Sequence, residues 1–198
     1  MCLWQRKSDH ALYAFMVLKD GRIDQIALDM AGPKPSGRIV RTMKLGTQSE
    51  GCVVDDRTGK LYVAEEDVGL WRFNASPSAS VKPKKLAAAD GKHLVMDAEG
   101  LAIAPMGRTG GYLVASSQGD NSYVLYRLSD AKFVGRFRVD QGDIDGTSET
   151  DGLDLAIGNF GPAFPEGLLV VQDGDNAPLT QNFKYVAWGN VVKALELK

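Results

Sequence analysis

A unit of about fifty residues recurs along this chain, and no other feature limits its fold so tightly. Ser-Glu-Gly at 49–51 returns as Ala-Glu-Gly at 98–100 and as Thr-Asp-Gly at 150–152, so the acid recurs at intervals of 49 (50 to 99) and 52 (99 to 151) residues. After each comes an apolar string that ends in polar or acidic residues: LYVAEED from Leu61, YLVASSQGDN from Tyr112 and LLVVQDGDN from Leu168. LYAFMVLKD, from Leu12, stands one further period upstream, 49 residues before Leu61. Self-similarity at this period marks stacked supersecondary units, and about four short strands per unit fit a β-propeller blade better than a helical solenoid.

The first unit is expected to have strands at 11–18, 23–28 and 39–45, with Lys19-Asp20-Gly21-Arg22 as the hairpin between the first two. The second has 52–54, 61–64, 69–73 and 84–89; the third 101–104, 112–117, 123–128 and 133–139; the fourth 153–157, 168–172 and 183–188. Residues 190–197 are long enough for one short helix. The sequence predicts an all-β fold: a single partial propeller domain over 1–198, about four consecutive blades of a ring. The first blade is expected to lack its opening strand, because only Met1 to Gln5 precede it. An open arc leaves bare strand edges, so the reading expects further blades outside this sequence.

Composition excludes other classes. With 44% hydrophobic and 24% charged residues the chain can bury a core, and its net charge of −2 provides no basic footprint for nucleic acid. No apolar run is long enough for a membrane span, and the opening Met-Cys-Leu-Trp-Gln-Arg-Lys contains no signal-peptide core. Cys2 and Cys52 lie one repeat apart, at equivalent positions of neighbouring blades. A disulfide requires Cα atoms within roughly 7 Å, which argues against a bridge between them.

The acids carry the functional signal. Glu50, Glu99 and Asp151 each stand just before the opening strand of a unit and should reach the same end of the propeller axis. Acids also follow strands at Glu65, Glu66 and Asp67 and at Asp173 and Asp175, and six lie within 140–154. Converging carboxylates repel one another and resist ionisation unless a cation sits among them. Oxygen donors without a His or Cys cluster favour calcium over zinc or copper. Any single acid in a β-turn can simply cap its loop; placement locked to the repeat is what singles out the set. The segment 140–154 does not fit an EF-hand, since Gly152 falls where that loop requires Glu.

The strings EGCVVDDRTGKLYVAEEDVGLWRF, DAEGLAIAP, GYLVASSQGDNSY, DGTSETDGLDL and VVQDGDN followed by QNFKYVAW resemble the later part of the β-propeller phytases, six-bladed calcium-dependent enzymes that hydrolyse phytate, myo-inositol hexakisphosphate. The resemblance runs from about Cys2 to Trp188. It implies calcium ligands in the catalytic channel at Glu50, Glu66 and Glu99, with Asp97 expected to join them and Asp145 and Asp151 as further ligands. It implies a structural calcium held by Asp173 and Asp175, and a lysine, Lys19, that grips substrate phosphate. Glu50 is the residue expected to orient the attacking, metal-activated water.

The family's upstream motif resembling DAADDPAIW, and its further phosphate-binding Lys, Arg and Tyr residues, do not occur in this sequence. About two blades are accordingly expected outside it. Two alternatives remain beside the phytase reading: a non-catalytic calcium-stabilised propeller segment, and another calcium-dependent propeller hydrolase such as a lactonase. The resemblance also implies a secreted or periplasmic full-length protein.

Overall fold

A computed structural model describes all 198 residues. The chain forms four antiparallel sheets in sequence order. The first contains β1 (Cys2–Gln5), β2 (Leu12–Val17), β3 (Arg22–Asp29) and β4 (Ser36–Lys44); the second contains β5 (Ser49–Asp55), β6 (Lys60–Glu65), β7 (Gly69–Asn74) and β8 (Lys84–Ala88). The third contains β9 (Ala98–Met106), β10 (Gly110–Ser117), β11 (Ser122–Arg127) and β12 (Phe133–Phe137). The fourth has three strands, β13 (Leu153–Ala156), β14 (Leu168–Asp173) and β15 (Asn182–Ala187), and α1 (Trp188–Ala194) follows it. Within each sheet every strand pairs with its sequence neighbour, the meander of a propeller blade.

The core lies in the seams between blades, which explains why both faces of the middle strands are apolar. On β6, Leu61 and Val63 enter the seam with the first blade, while Tyr62 and Ala64 enter the seam with the third. On β10, Leu113 and Ala115 point to the second blade and Tyr112 and Val114 to the fourth. Strand side chains alternate between faces, so a strand clamped between two sheets needs apolar residues at every position. Trp4 fills the first seam beside Tyr13, their rings stacked 5.4 Å apart, and Trp188 fills the third.

Three expectations are corrected. The first blade is complete: Cys2–Gln5, though only four residues long, pairs with Leu12–Phe15 as an opening strand, and the three-stranded sheet is the last one. Four residues suffice because every one of them pairs with a residue of β2. The helix begins at Trp188, earlier than the sequence suggests, because the indole docks in the third seam. The third correction concerns the cysteines, which form a Cys2–Cys52 disulfide with Cα atoms 5.7 Å apart. Equivalent positions of neighbouring blades are far apart at the rim but close beside the axis, and β1 and β5 are both inner strands.

That disulfide joins the first two blades across a sequence separation of 50 residues. Closing a loop of this size restricts the unfolded chain, and the loss of such a bridge typically costs about 2–4 kcal/mol. The double variant Cys2→Ser/Cys52→Ser should lose about 3 kcal/mol in urea unfolding under non-reducing conditions. An unchanged urea midpoint would show that the bridge does not restrain the seam.

Candidate metal centre

Glu50 and Glu99 owe their position to a local irregularity that two blades share. In the second blade, Ser49 pairs with Glu65 and Cys52 with Val63, so Glu50 and Gly51 together face the single residue Ala64. In the third, Ala98 pairs with Ser117 and Leu101 with Ala115, so Glu99 and Gly100 together face Ser116. Each acid-glycine pair is thus a β-bulge at the start of an inner strand, and bulges re-aim the side chains they carry. The glycines have a separate task. A Cβ on Gly51 would lie 2.1 Å from the Glu99 carbonyl oxygen, and one on Gly100 would lie 2.8 Å from that of Asp151. Only glycine lets successive inner strands approach this closely.

The result is convergence. One carboxylate oxygen from each of Glu50, Glu66 and Glu99 lies within 4.8 Å of the others, a group that could hold a metal ion. Glu66 arrives from the end of the next strand, just beyond Glu65, and alternation separates their fates. Glu65 turns inward, 2% exposed, where its carboxylate accepts hydrogen bonds from Thr47 N at 2.6 Å, Thr47 Oγ1 at 2.9 Å and Trp71 Nε1 at 2.7 Å. Glu66 is left to face the axis. Two of the three, Glu50 and Glu99, line a pocket of about 300 Å³ together with Lys19, Gln48 and Asp151, with no apolar side chain.

Electrostatics makes this pocket a candidate cation site. Glu99 is buried and faces Glu50, Asp151, Glu66 and Asp97; burial first, and these charges second, push its pKa from the usual 4.5 up to about 8. Burial, then Asp97, Asp67 and Glu50, raise that of Glu66 as well, opposed by Lys19. A neighbouring cation reverses both effects. The donors are all hard oxygens, and no His or Cys joins the group, which suits calcium or magnesium rather than zinc or copper. The residues present therefore fit a hard divalent ion.

Lys19 lies in the turn after β2 with its side chain 81% exposed, and its Nζ stands 4.0 Å from Glu50 Oε1. It faces the pocket without being hydrogen-bonded into it. Asp151 borders the pocket but stays outside the tight group: Gln118 Nε2 donates to its Oδ1 at 2.7 Å, and its backbone N–H donates to Gln172 Oε1 at 2.5 Å. Asp97 contributes charge to both Glu66 and Glu99 and is likewise not among the three.

Asp145, Asp173 and Asp175 lie in a second place. Lys184 Nζ, its side chain 7% exposed, bridges Asp145 Oδ1 at 2.8 Å and Asp173 Oδ2 at 3.2 Å. The hydrogen bond to this ammonium holds the Asp145 carboxyl below its usual range. Ser148 ties the neighbouring loop down, its N–H donating to Asp173 Oδ1 at 3.0 Å and its hydroxyl to the Asp175 carbonyl at 3.2 Å. Sequence reasoning missed Lys184 and the three glutamines Gln48, Gln118 and Gln172. Neutral amides carry no charge pattern, and Lys184 sits alone in an apolar strand, so neither stands out by composition. A larger hollow of about 740 Å³, at the other end of the third blade, holds one acid, Glu196, and no convergent group.

The architecture and this acid-lined axial mouth define a β-propeller with a candidate cation site at one end. Solved structures agree on the fold. The chain is similar to the WD40 β-propeller domain of Doa1, with a TM-score of 0.53 at 11% identity over 94% of this chain and 50% of that one. It is also similar to a chain in the crystal structure of the mitotic checkpoint complex, with a TM-score of 0.51 at 14% identity over 93% of this chain and 46% of that one. Sequence comparison is more specific. The phytase family model matches residues 1–198. The 3-phytase of Bacillus subtilis (strain 168) is 42% identical over 202 aligned residues, covering 98% of this chain and 52% of that protein. The chain belongs to the phytase family. It spans about half the length of the curated relative it matches.

The raised pKa of Glu99 fixes the sign of a pH effect. The unfolded chain ionises this group near 4.5, whereas the folded, cation-free chain keeps its proton until about 8. Its contribution to stability is therefore fully present below 4.5 and lost as pH rises through 8. Thermal unfolding in chelator should show a melting temperature that falls across this window. Added calcium should reverse the fall, and Glu99→Gln should flatten it. A melting temperature in chelator that does not depend on Glu99 between pH 5 and 8 would contradict this electrostatic account.

Proposed function

We propose that this chain is the cation-binding part of a calcium-dependent phosphomonoesterase that hydrolyses phytate to lower inositol phosphates and inorganic phosphate. The observation that carries the reading is the convergence of Glu50, Glu66 and Glu99, two of which, Glu50 and Glu99, line a polar pocket that Lys19 overlooks. Family membership, and likeness to a protein described as a 3-phytase, support phosphate-ester chemistry for it.

Phytate is dense with negative charge, and a mouth lined by acids repels it unless a cation intervenes. Calcium held by the three glutamates would supply positive charge to the phosphate oxygens and lower the pKa of water. The chain's own residues do the rest. Asp97 and Asp151 flank the cluster and add negative charge that raises its affinity for cations. Glu50, at the pocket edge, orients the attacking water and takes its proton. Lys19 is free of a hydrogen bond within the pocket, and its ammonium can turn to an equatorial oxygen of the reacting phosphate and offset the charge that develops there. The reading needs no side-chain nucleophile.

The second acidic place, with Asp145, Asp173 and Asp175, is read as a structural calcium site tying the 145–151 loop to the end of β14. Calcium there has to share Asp145 and Asp173 with Lys184. Secretion or periplasmic export fits the Cys2–Cys52 disulfide, since such bridges persist in oxidising compartments. No helix is long and apolar enough to cross a membrane.

Phosphate release from phytate by the purified 198-residue chain, in excess calcium and in chelator, tests the reading. Release should require calcium. Glu50→Gln should lower kcat/KM at least about 100-fold, as expected for loss of a general base. Lys19→Ala should lower it about 10-fold, mainly through KM, as expected for a lost charge-assisted hydrogen bond. No release under either condition would limit the chain to a cation-binding segment whose activity depends on residues outside it. Release that persists in chelator would overturn the metal-dependent mechanism.

A further inference from the structure

Gln48 lines the same pocket as Lys19, Glu50, Glu99 and Asp151, yet it is neither an acid nor a cation. It holds two of the three converging glutamates at once. Its side-chain Nε2 donates to Glu50 Oε1 at 2.7 Å, and its backbone carbonyl accepts the Glu66 N–H at 3.0 Å. One residue thus ties the start of β5 to the end of β6 and fixes one carboxylate by its oxygen. The third blade repeats the backbone half of this arrangement: the Asp97 carbonyl, two residues before Glu99, accepts the Gln118 N–H at 2.9 Å. The side-chain half differs. Where the third blade has an acid, Asp97, the second has a neutral amide donor.

The same oxygen, Glu50 Oε1, is the one that faces Lys19, 4.0 Å from its Nζ against 2.7 Å from the Gln48 amide. Without a donor at Gln48, this oxygen would be left to Lys19, and a close Lys19–Glu50 pair would draw both groups away from their tasks. A neutral donor is suited to the role, because it satisfies one lone pair of Glu50 without cancelling the charge a cation needs. We propose that Gln48 is a positioning residue for this site. Its amide holds Glu50 in the cation-binding arrangement and keeps Lys19 out of a closed ion pair, so that the lysine stays available to a phosphate group. The proposal deepens the phytase reading and rests on its assignment of Glu50 to the cation, while its test does not depend on turnover.

Gln48→Met keeps length and approximate volume and removes the amide, and with it the donor to Glu50, which separates positioning from packing. Calcium binding to the full chain is measured by isothermal titration calorimetry, following the component that Glu50→Gln abolishes, with the urea midpoint recorded for each variant. Gln48→Met is expected to raise the dissociation constant of that component about 10-fold, in line with a hydrogen bond to a charged group, with an unchanged urea midpoint. Where phosphate release is observed, KM for phytate should rise as well, and Lys19→Ala should add little to the KM of the Gln48→Met variant. Calcium affinity equal to that of the unsubstituted chain would overturn the proposal, as would a loss matched by an equal loss of stability. A chain with no Glu50-dependent component would overturn it together with the cation site. Gln48-dependent calcium binding without phosphate release would support it while removing the phytase reading of this chain alone.

Discussion

Three carboxylates held with oxygens within 4.8 Å of one another are an unfavourable arrangement for an isolated chain, and much of this structure serves to hold them there. Two like charges 4–5 Å apart repel by several kcal/mol at a partly buried site with an effective dielectric near 20, and Glu99 is nearly fully buried. The cation-free chain relieves this by retaining a proton on Glu99, and a bound cation relieves it better. For a cation at the proposed site, the fold would contribute in advance, because it has already met the cost of gathering the three carboxylates.

The gathering depends on blade geometry. Apolar seams fix each sheet against the next, so inner strands converge at the axis and their first residues meet. The acid-glycine bulges turn this convergence into a site: the extra residue aims the carboxylate, and the missing Cβ admits the neighbouring backbone. The disulfide acts on the same inner layer. Cys52 is two residues beyond Glu50 on β5, so the bridge to β1 restrains the strand that presents the acid to Lys19 of the first blade. Stability and site geometry share one set of strands.

Much of this was legible in the sequence because the repeat is a backbone property written in side chains. Leu12, Leu61, Tyr112 and Leu168 announce the blades, and Glu50, Glu99 and Asp151 announce the acid end of the axis. The bulges were not legible, since Glu-Gly within a strand has the same letters with or without an unpaired residue. Distances between strands were hidden too. Cys2 and Cys52 are one period apart, and whether that means neighbours or strangers depends on their distance from the axis. Asp151, expected among the ligands, borders the pocket but is held back by Gln118. Asp145, expected among the calcium ligands, faces Lys184 at the second acidic place. Polar partners such as these belong to no repeat and leave no periodic trace.

The claim on which the account turns is that the convergent glutamates bind a hard divalent cation. A crystal of the chain grown with strontium in place of calcium, measured for anomalous scattering, tests it without reference to turnover. The account predicts an anomalous peak in contact with carboxylate oxygens of Glu50, Glu66 and Glu99, at about 2.3–2.6 Å as for calcium and slightly longer for the larger ion. Peaks confined to other positions, with the three glutamates bound only to water or protein, would contradict it.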